Sequence, residues 1–449
     1  MPLVIRFVLL LICLVGLPLA AAEDPTRDLS PGLVVPEAAK PGPTFNVDQA
    51  TDAYVALLTA EQRAQSDAYF EGGYWLQLWG SLLTLGIAGL LLFGGVSRRI
   101  RQWSEKIGRG PFLQTMIYAA LFLVLMFCLS LPWSIYTGYV REHQYGLATQ
   151  GFSGWIGESL VGLAISVVIA APMIALLYAA VRRAGAAWWA WAGGITVSGL
   201  LLIILIAPVF IAPLFNTYTA MPDGELRDSV LSMARAHQIP ADDVYVFDAS
   251  KQTTRISANV SGLLGTTRIA LNDNLMDRTS DQEVRAVMGH EMGHYVLNHS
   301  VRLVVYFGLV LTLGYLFIHL CFDSALSRYG QRWGIVGRAD PAGLPLAMAL
   351  FTVYLTAATP VTNSVVRSAE AEADAFGLAV SGEPHGFATV AMRLSTYRKI
   401  HPGQWEEVLF YDHPSGYQRV YRSMRWLQEN PDYPTLQQAL ESGRPLASP

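Results

Sequence analysis

Six apolar stretches, at about residues 74–96, 112–132, 156–181, 187–212, 303–322 and 344–366, are each long enough to cross a bilayer. A backbone inside lipid must satisfy its own hydrogen bonds, and a helix does so within one segment. A chain with six such stretches therefore folds as a bundle of membrane helices. Each stretch is bounded by charge or by Pro and Gly. Composition agrees: 52% of residues are hydrophobic and 15% charged, against roughly 25% charged in soluble domains. The net charge of -4 offers no basic surface, which argues against nucleic acid and leaves the lipid bilayer as the first partner. Cys13, Cys128 and Cys321 lie far apart in apolar runs and read as small buried hydrophobes.

The remaining segments divide the chain. Residues 1–22 carry one early arginine, an apolar run and a small-residue LAAA end, which fits a cleaved signal peptide or a first transmembrane helix. Residues 23–73 read as a solvated N-terminal segment, Pro-rich and acidic before turning helical. Four spans fill 74–212, and two fill 303–366. Between them, 213–302 is a soluble-looking α/β block, and 367–449 is a polar C-terminal block. In the first block GELRDSVLSMARAHQI has helical spacing, VYVFD reads as a strand, and RISANVSGLLGTTRIALND as a strand pair around a Gly turn. The expected fold class is an all-α polytopic membrane protein with a small α/β domain.

That domain carries HEMGH at 290–294, on a helix opened by a capping-box pattern from Ser280 to Glu283. His290 and His294 fall one turn apart on one face, so both imidazoles reach one metal ion, with Glu291 beside it. Chance would supply such a motif roughly 0.007 times in a chain of this composition. A zinc hydrolase needs a third protein ligand and an open position for water. RSAEAEADAFG at 367–377 offers Glu370 as that ligand, with Asp374 one turn on to accept a hydrogen bond from a ligating imidazole. Helical geometry turns Glu372 away, as a solvated carboxylate. One Zn2+ per chain is expected, in a gluzincin-type set of HExxH plus Glu.

Glu291 is then the base that takes a proton from water and passes it to the leaving amine. DHPSGYQRV supplies His413 to face the developing oxyanion and Arg419 as a substrate-binding or ion-pairing residue. Ala258 and Asn259 suit a sheet edge that adds an extended peptide as a strand. His299 is explained by a polar helix end near the bilayer. His319, inside an apolar stretch, is expected to face a cavity and is given no role.

The stretches HEMGHYVLNH, SAEAEADAFG and DHPSGYQRV resemble the active-site blocks of the type I CAAX prenyl endopeptidases, integral-membrane zinc metallopeptidases of eukaryotes and their bacterial relatives. LPWSIYTGYVREHQYG, FIAPLFNTYTAMPDGEL and SANVSGLLGTTRIALNDNLM are similar to other segments of that family, so the likeness covers roughly 70–430. The resemblance implies about seven helices around an intramembrane chamber, with zinc on His290, His294 and Glu370 and Glu291 as base. It also implies that His413 contacts substrate, that Asn259 lies on the strand positioning the peptide, and that 1–22 is the first helix. Ser415 and Gly416 follow His413-Pro414 where eukaryotic members commonly have a second proline.

The expected activity is a membrane-embedded zinc metalloendopeptidase acting on a peptide or protein substrate, lipidated or membrane-associated. Quality-control cleavage of damaged membrane or envelope proteins is the alternative within that class. A transport or scaffold protein with structural zinc is the rival outside it, although no cysteine lies near the motifs to close such a site. The expected location is a bacterial inner membrane, crossed several times. Arg98, Arg99, Arg101, Lys106, Arg109, Arg182, Arg183, Arg328, Arg332 and Arg338 fall on one side, and Arg27, Lys40, Arg63 and Arg141 on the other. That bias points the site away from the cytoplasm. The resemblance implies the opposite, and both orientations stand at this point.

Overall fold

The computed structural model describes residue 29 and residues 32–262 and 267–430. The expected leader or first span at 1–22 lies outside the described residues. The chain begins with a short helix α1 (Val47–Val55), then α2 (Ala60–Phe93), α3 (Val96–Ile107) and α4 (Pro111–Ile135), which continues through a π turn at Tyr136–Val140. Next come α5 (Phe152–Arg183), α6 (Trp188–Ile206), β1 (Tyr218–Ala220), α7 (Glu225–Ala236), β2 (Val244–Phe247), β3 (Ala258–Ser261) and β4 (Arg268–Asn272). The rest is helical: α8 (Asp273–Arg278), α9 (Asp281–Val296), α10 (His299–Trp333), α11 (Leu344–Ser381), α12 (Pro384–Leu394), α13 (Gln404–Phe410) and α14 (Gly416–Glu429).

All six apolar stretches are helices, and six helices among the described residues are long and apolar enough to cross a membrane. They overrun the stretches that announced them. α2 starts at Ala60, behind a capping box made by Thr59 and Gln62, and α11 runs on to Ser381. An apolar run marks only the lipid-facing length, whereas helical hydrogen bonding continues until a cap or a glycine stops it. The spans form a closed ring, α2 to α4, α5, α6, α10, α11 and back to α2. Only 0–28% of each apolar window is buried inside the protein.

Two cysteines are not core residues as expected: Cys128 is exposed and Cys321 half-buried, both with free thiols. They sit on spans, where an apolar environment is lipid rather than protein. His319 packs against protein rather than a cavity. It accepts from Trp188 Nε1 at 2.9 Å and lies 2.8 Å from Arg338 Nη1. That cluster belongs to the end of the ring where α3 packs and where Arg101 pairs with Asp340.

At the other end sits a sheet of order β1-β2-β4-β3. β2 and β4 are parallel, while β1 and β3 pair antiparallel on the outside. Met288 and Met292 of α9, Met233 of α7 and Ile269 and Leu271 of β4 are fully buried between sheet and helices.

The N-terminal segment, expected to be solvated, is exposed over much of its described length but buries one face of α1. Val47, Ala50 and Tyr54 form one face of α1 and are buried with Met392 of α12 and Val420 and Met424 of α14. Arg393 donates to the carbonyls of Leu29 and Gly32. The prolines and acids ahead of α1 masked an apolar i, i+3, i+7 face that needs a partner.

Candidate active site

α9 begins at Ser280, whose hydroxyl accepts from the Glu283 amide while the Glu283 carboxylate accepts from the Ser280 amide at 2.9 Å. Glu283 is itself buried and pairs with Arg393 of α12 at 2.6 Å. Arg285 makes a second buried pair, 2.7 Å from Glu383. Removing one member of such a pair costs about 3–5 kcal/mol, because the other charge is left buried and unpaired. The helix start is thus pinned to α12, which fixes the rotation of the turn carrying His290, Glu291 and His294.

α11 meets α9 through glycines. A Cβ on Gly377 would lie 2.6 Å from the His290 amide nitrogen, and one on Gly289 would lie 2.9 Å from the Gly377 carbonyl oxygen. Helices this close bring the carboxyl of Glu370 between the two imidazoles. His290 Nε2 and His294 Nε2 are 3.1 Å apart, and each is 3.3 Å from an oxygen of Glu370. A tetrahedral zinc ion with bonds of about 2.0–2.1 Å would hold its ligand atoms roughly 3.3 Å apart. Two imidazole nitrogens and a carboxylate at that spacing fit the ion, and their ligand atoms all lie within 4.8 Å of one another.

Behind the metal-facing atoms, Asp374 Oδ1 lies 2.9 Å from His290 Nδ1. Arg419 of α14 bridges the two carboxylates, with Nε 3.0 Å from Asp374 Oδ2 and Nη2 3.2 Å from Glu370 Oε2. Of the two roles expected for it, substrate binding or ion pairing, the structure shows ion pairing, on Glu370 and Asp374, because the one-turn spacing of those carboxylates matches its fork. His413 Nε2 is 3.4 Å from Glu370 Oε2, and its Nδ1 is 2.7 Å from Asp412 Oδ1. Burial lowers the His413 pKa below its usual value, and the hydrogen bond to Asp412 opposes this. Burial raises the Glu291 pKa above the usual carboxylate range, opposed by His290 and His294.

These groups open on a cavity of about 240 Å3, lined by His290, Glu291, Glu370, His413 and, from β3, Ala258. The Ser257 carbonyl accepts from the Asn272 amide at 2.9 Å. By antiparallel alternation the backbone groups of Asn259 then face β4, and those of Ala258 face the open edge. The Asn259 side chain is not brought to the cavity. It points to the opposite face of the strand from Ala258 and accepts from Ser261 Oγ at 3.0 Å.

His299 and Glu372 were missed as partners of the site. His299 is buried, with Nδ1 2.9 Å from His294 Nδ1 and Nε2 3.2 Å from Glu372 Oε2. Helical geometry does turn Glu372 away from Glu370, and its carboxylate is exposed as expected, but it also reaches the start of α10. The signal available in the sequence was the spacing of His299, five residues beyond His294, with only a turn between the two helices.

Residues 220–426 match the model of peptidase family M48, and residues 47–217 match that of the CAAX prenyl protease N-terminal region, described as five membrane helices. The uncharacterized metalloprotease YhfN of Bacillus subtilis is 33% identical over 64% of this chain and 68% of its own length. The CAAX prenyl protease 1 homolog of Dictyostelium discoideum is 31% identical over 61% of this chain and 65% of its own. The chain therefore spans about two thirds of the length of these relatives. The crystal structure of S. mikatae Ste24p has the same fold, with a TM-score of 0.69 over 86% of this chain and 92% of that one, at 21% identity. Fold and family models together define a multi-pass membrane metallopeptidase acting on peptides or proteins. The chain belongs to the type I CAAX prenyl protease family, within peptidase family M48.

Proposed function

We propose that this chain is a zinc endopeptidase in which His290, His294 and Glu370 hold the ion and Glu291 is the base. The observation carrying this reading is the meeting of two imidazole nitrogens and a carboxylate at 3.1–3.3 Å, with Glu291 on the same turn facing the same cavity. Zn2+ bound there supplies Lewis-acid polarisation of a water and of the scissile carbonyl.

The remaining steps belong to the protein. Burial makes Glu291 a stronger base than an exposed carboxylate, so it accepts a proton from the attacking water and delivers it to the leaving amine. Asp374 Oδ1, 2.9 Å from His290 Nδ1, favours a proton on that nitrogen, which leaves Nε2 to face the ion. Arg419 holds Glu370 and Asp374 in their relative rotation. The free backbone edge at Ala258 pairs with an extended peptide and lays it across the cavity. His413 stands at the cavity wall, placed to contact the carbonyl oxygen of the scissile bond.

The setting of the site at the ends of spans α10 and α11 supports a substrate held at the membrane, which we take to be a peptide with a lipidated C-terminal segment. The test is cleavage of farnesylated and plain peptides by detergent-purified wild type and Glu291→Gln, with metal content measured on both. Glu291→Gln should retain one zinc per chain and lose at least about 100-fold in kcat. Cleavage persisting in the variant, or active wild type without zinc, overturns the reading. Equal cleavage of plain unfolded protein would replace the lipidated substrate by a quality-control role.

A further inference from the structure

The two metal-facing imidazoles are supported differently. His290 has a carboxylate directly behind it, Asp374, which Arg419 holds. Behind His294 stands a third imidazole. We propose that His299, held by Glu372 and Arg302, is a positioning residue that fixes the tautomer and orientation of His294 at the metal.

The geometry closes proton by proton. His294 Nε2 faces Glu370 and His290 and must present a lone pair to bind a cation, so its proton sits on Nδ1. That Nδ1–H donates to His299 Nδ1 at 2.9 Å, which requires His299 to carry its own proton on Nε2. His299 Nε2 in turn lies 3.2 Å from Glu372 Oε2, an acceptor that stabilises this tautomer over the other. Arg302 completes the chain by donating to both oxygens of Glu372, at 2.6 and 3.2 Å. Each ring nitrogen has one role, and reversing either ring would set two donors or two acceptors face to face.

The local backbone is built to deliver this contact. α9 ends at Val296, Asn298 takes the left-handed conformation at φ 55°, and α10 begins at once with His299. Asn tolerates that conformation better than most residues. The turn folds residue 299 back onto residue 294, with the rings 5.0 Å apart at 70°. His299 is 1% exposed, although it stands at the first turn of a long helix leading into lipid. Burying a polar ring there is costly without partners, and its partners are those named. Residues 370, 372 and 374 of α11 thus serve both histidines. Glu370 and Asp374 face α9, while Glu372, on the other side of the helix, reaches α10.

The proposal rests on the zinc reading above, and the experiment separates the two. Zinc affinity is measured by chelator competition on the full chain in detergent, for wild type, His290→Ala, His299→Phe, His299→Asn and Glu372→Gln. The visible spectrum of the Co2+-loaded form and the thermal midpoint of the metal-free form are recorded beside it. His299→Phe keeps bulk but loses the acceptor, and should weaken zinc binding about 10- to 100-fold and shift the Co2+ spectrum. His299→Asn places an oxygen near the position of Nδ1 and should recover most of that affinity. Glu372→Gln should move in the same direction as His299→Phe, by less. The midpoints of the metal-free forms should stay together. The proposal is overturned if His299→Phe binds zinc as wild type does, if Phe and Asn lose affinity equally, or if the loss tracks a fallen midpoint of the metal-free form. If His290→Ala also binds zinc as wild type does, the zinc reading fails along with it.

Discussion

α9 and α11 contribute to one site and are opposite kinds of helix. α9 is a short helix whose start is written locally by a capping box, with a motif at its end, and is then pinned by two buried ion pairs to α12. α11 is a membrane span of 38 residues with Pro360 inside it, and Glu370 and Asp374 lie where it leaves the apolar region. A motif on a locally specified helix can be read from sequence. A single carboxylate on a long span comes within reach of the two imidazoles only where Gly377 and Gly289 let that span approach the other helix.

Four changes would break or sharpen this contrast. Glu370→Ala, on the helix with the weaker signal, should cost as much as any change on α9. Zinc content by mass spectrometry should fall well below one per chain and cleavage to background, whereas Glu291→Gln keeps its metal. Gly377→Val comes next: its side chain would strike the His290 backbone and the Phe387 ring, which a Cβ would approach to 2.7 Å. Overpacking of this kind costs about 1–3 kcal/mol. Zinc should be lost together with a lower thermal midpoint, while Gly157→Val on α5, where a Cβ meets nothing within 4 Å, should change neither. A midpoint and zinc content for Gly377→Val equal to wild type would show that helix approach is not limiting.

Arg419→Ala should act through α11 alone, loosening Glu370 and Asp374 and reducing kcat about 10- to 100-fold with little change in KM. A change confined to KM would return Arg419 to substrate binding. The change with no expected effect on the site belongs to the support behind α9, where His385 of α12 has its Nδ1 2.8 Å from Tyr54 Oη. Burial lowers the His385 pKa to about 4 from 6.5. The unfolded chain therefore takes up a proton before the folded one, so stability is full above pH 6.5 and falls as pH drops from there toward about 4. The loss is at most about 3 kcal/mol. Denaturant midpoints of wild type and His385→Gln across that range should converge at low pH. Parallel curves would remove His385 as the cause.

Much of this was legible beforehand, and for a physical reason. Apolar runs of spanning length report what lipid demands, and HExxH reports what a helix does with two histidines four apart. Glu370 and Asp374 were legible through their one-turn spacing beside a span. His299 and Glu372 were not, because their roles depend on a left-handed turn at Asn298 and on two helices lying side by side. Nor was the burial of α1, whose apolar face meets residues more than 300 positions away.

The sequence by itself determined that the chain crosses a membrane as helices, that a histidine pair sits on a capped helix, and that carboxylates wait beyond the last span. These follow from periodicity, caps and solvent preference, which act over a few residues. Tertiary structure alone decided that α1 is buried against α12 and α14, that Arg419 bridges Glu370 and Asp374 in particular, and that His294 is backed by another histidine. Each of those depends on how closely separate elements approach, and that distance is set by glycines and buried ion pairs distant in sequence from the groups they bring together.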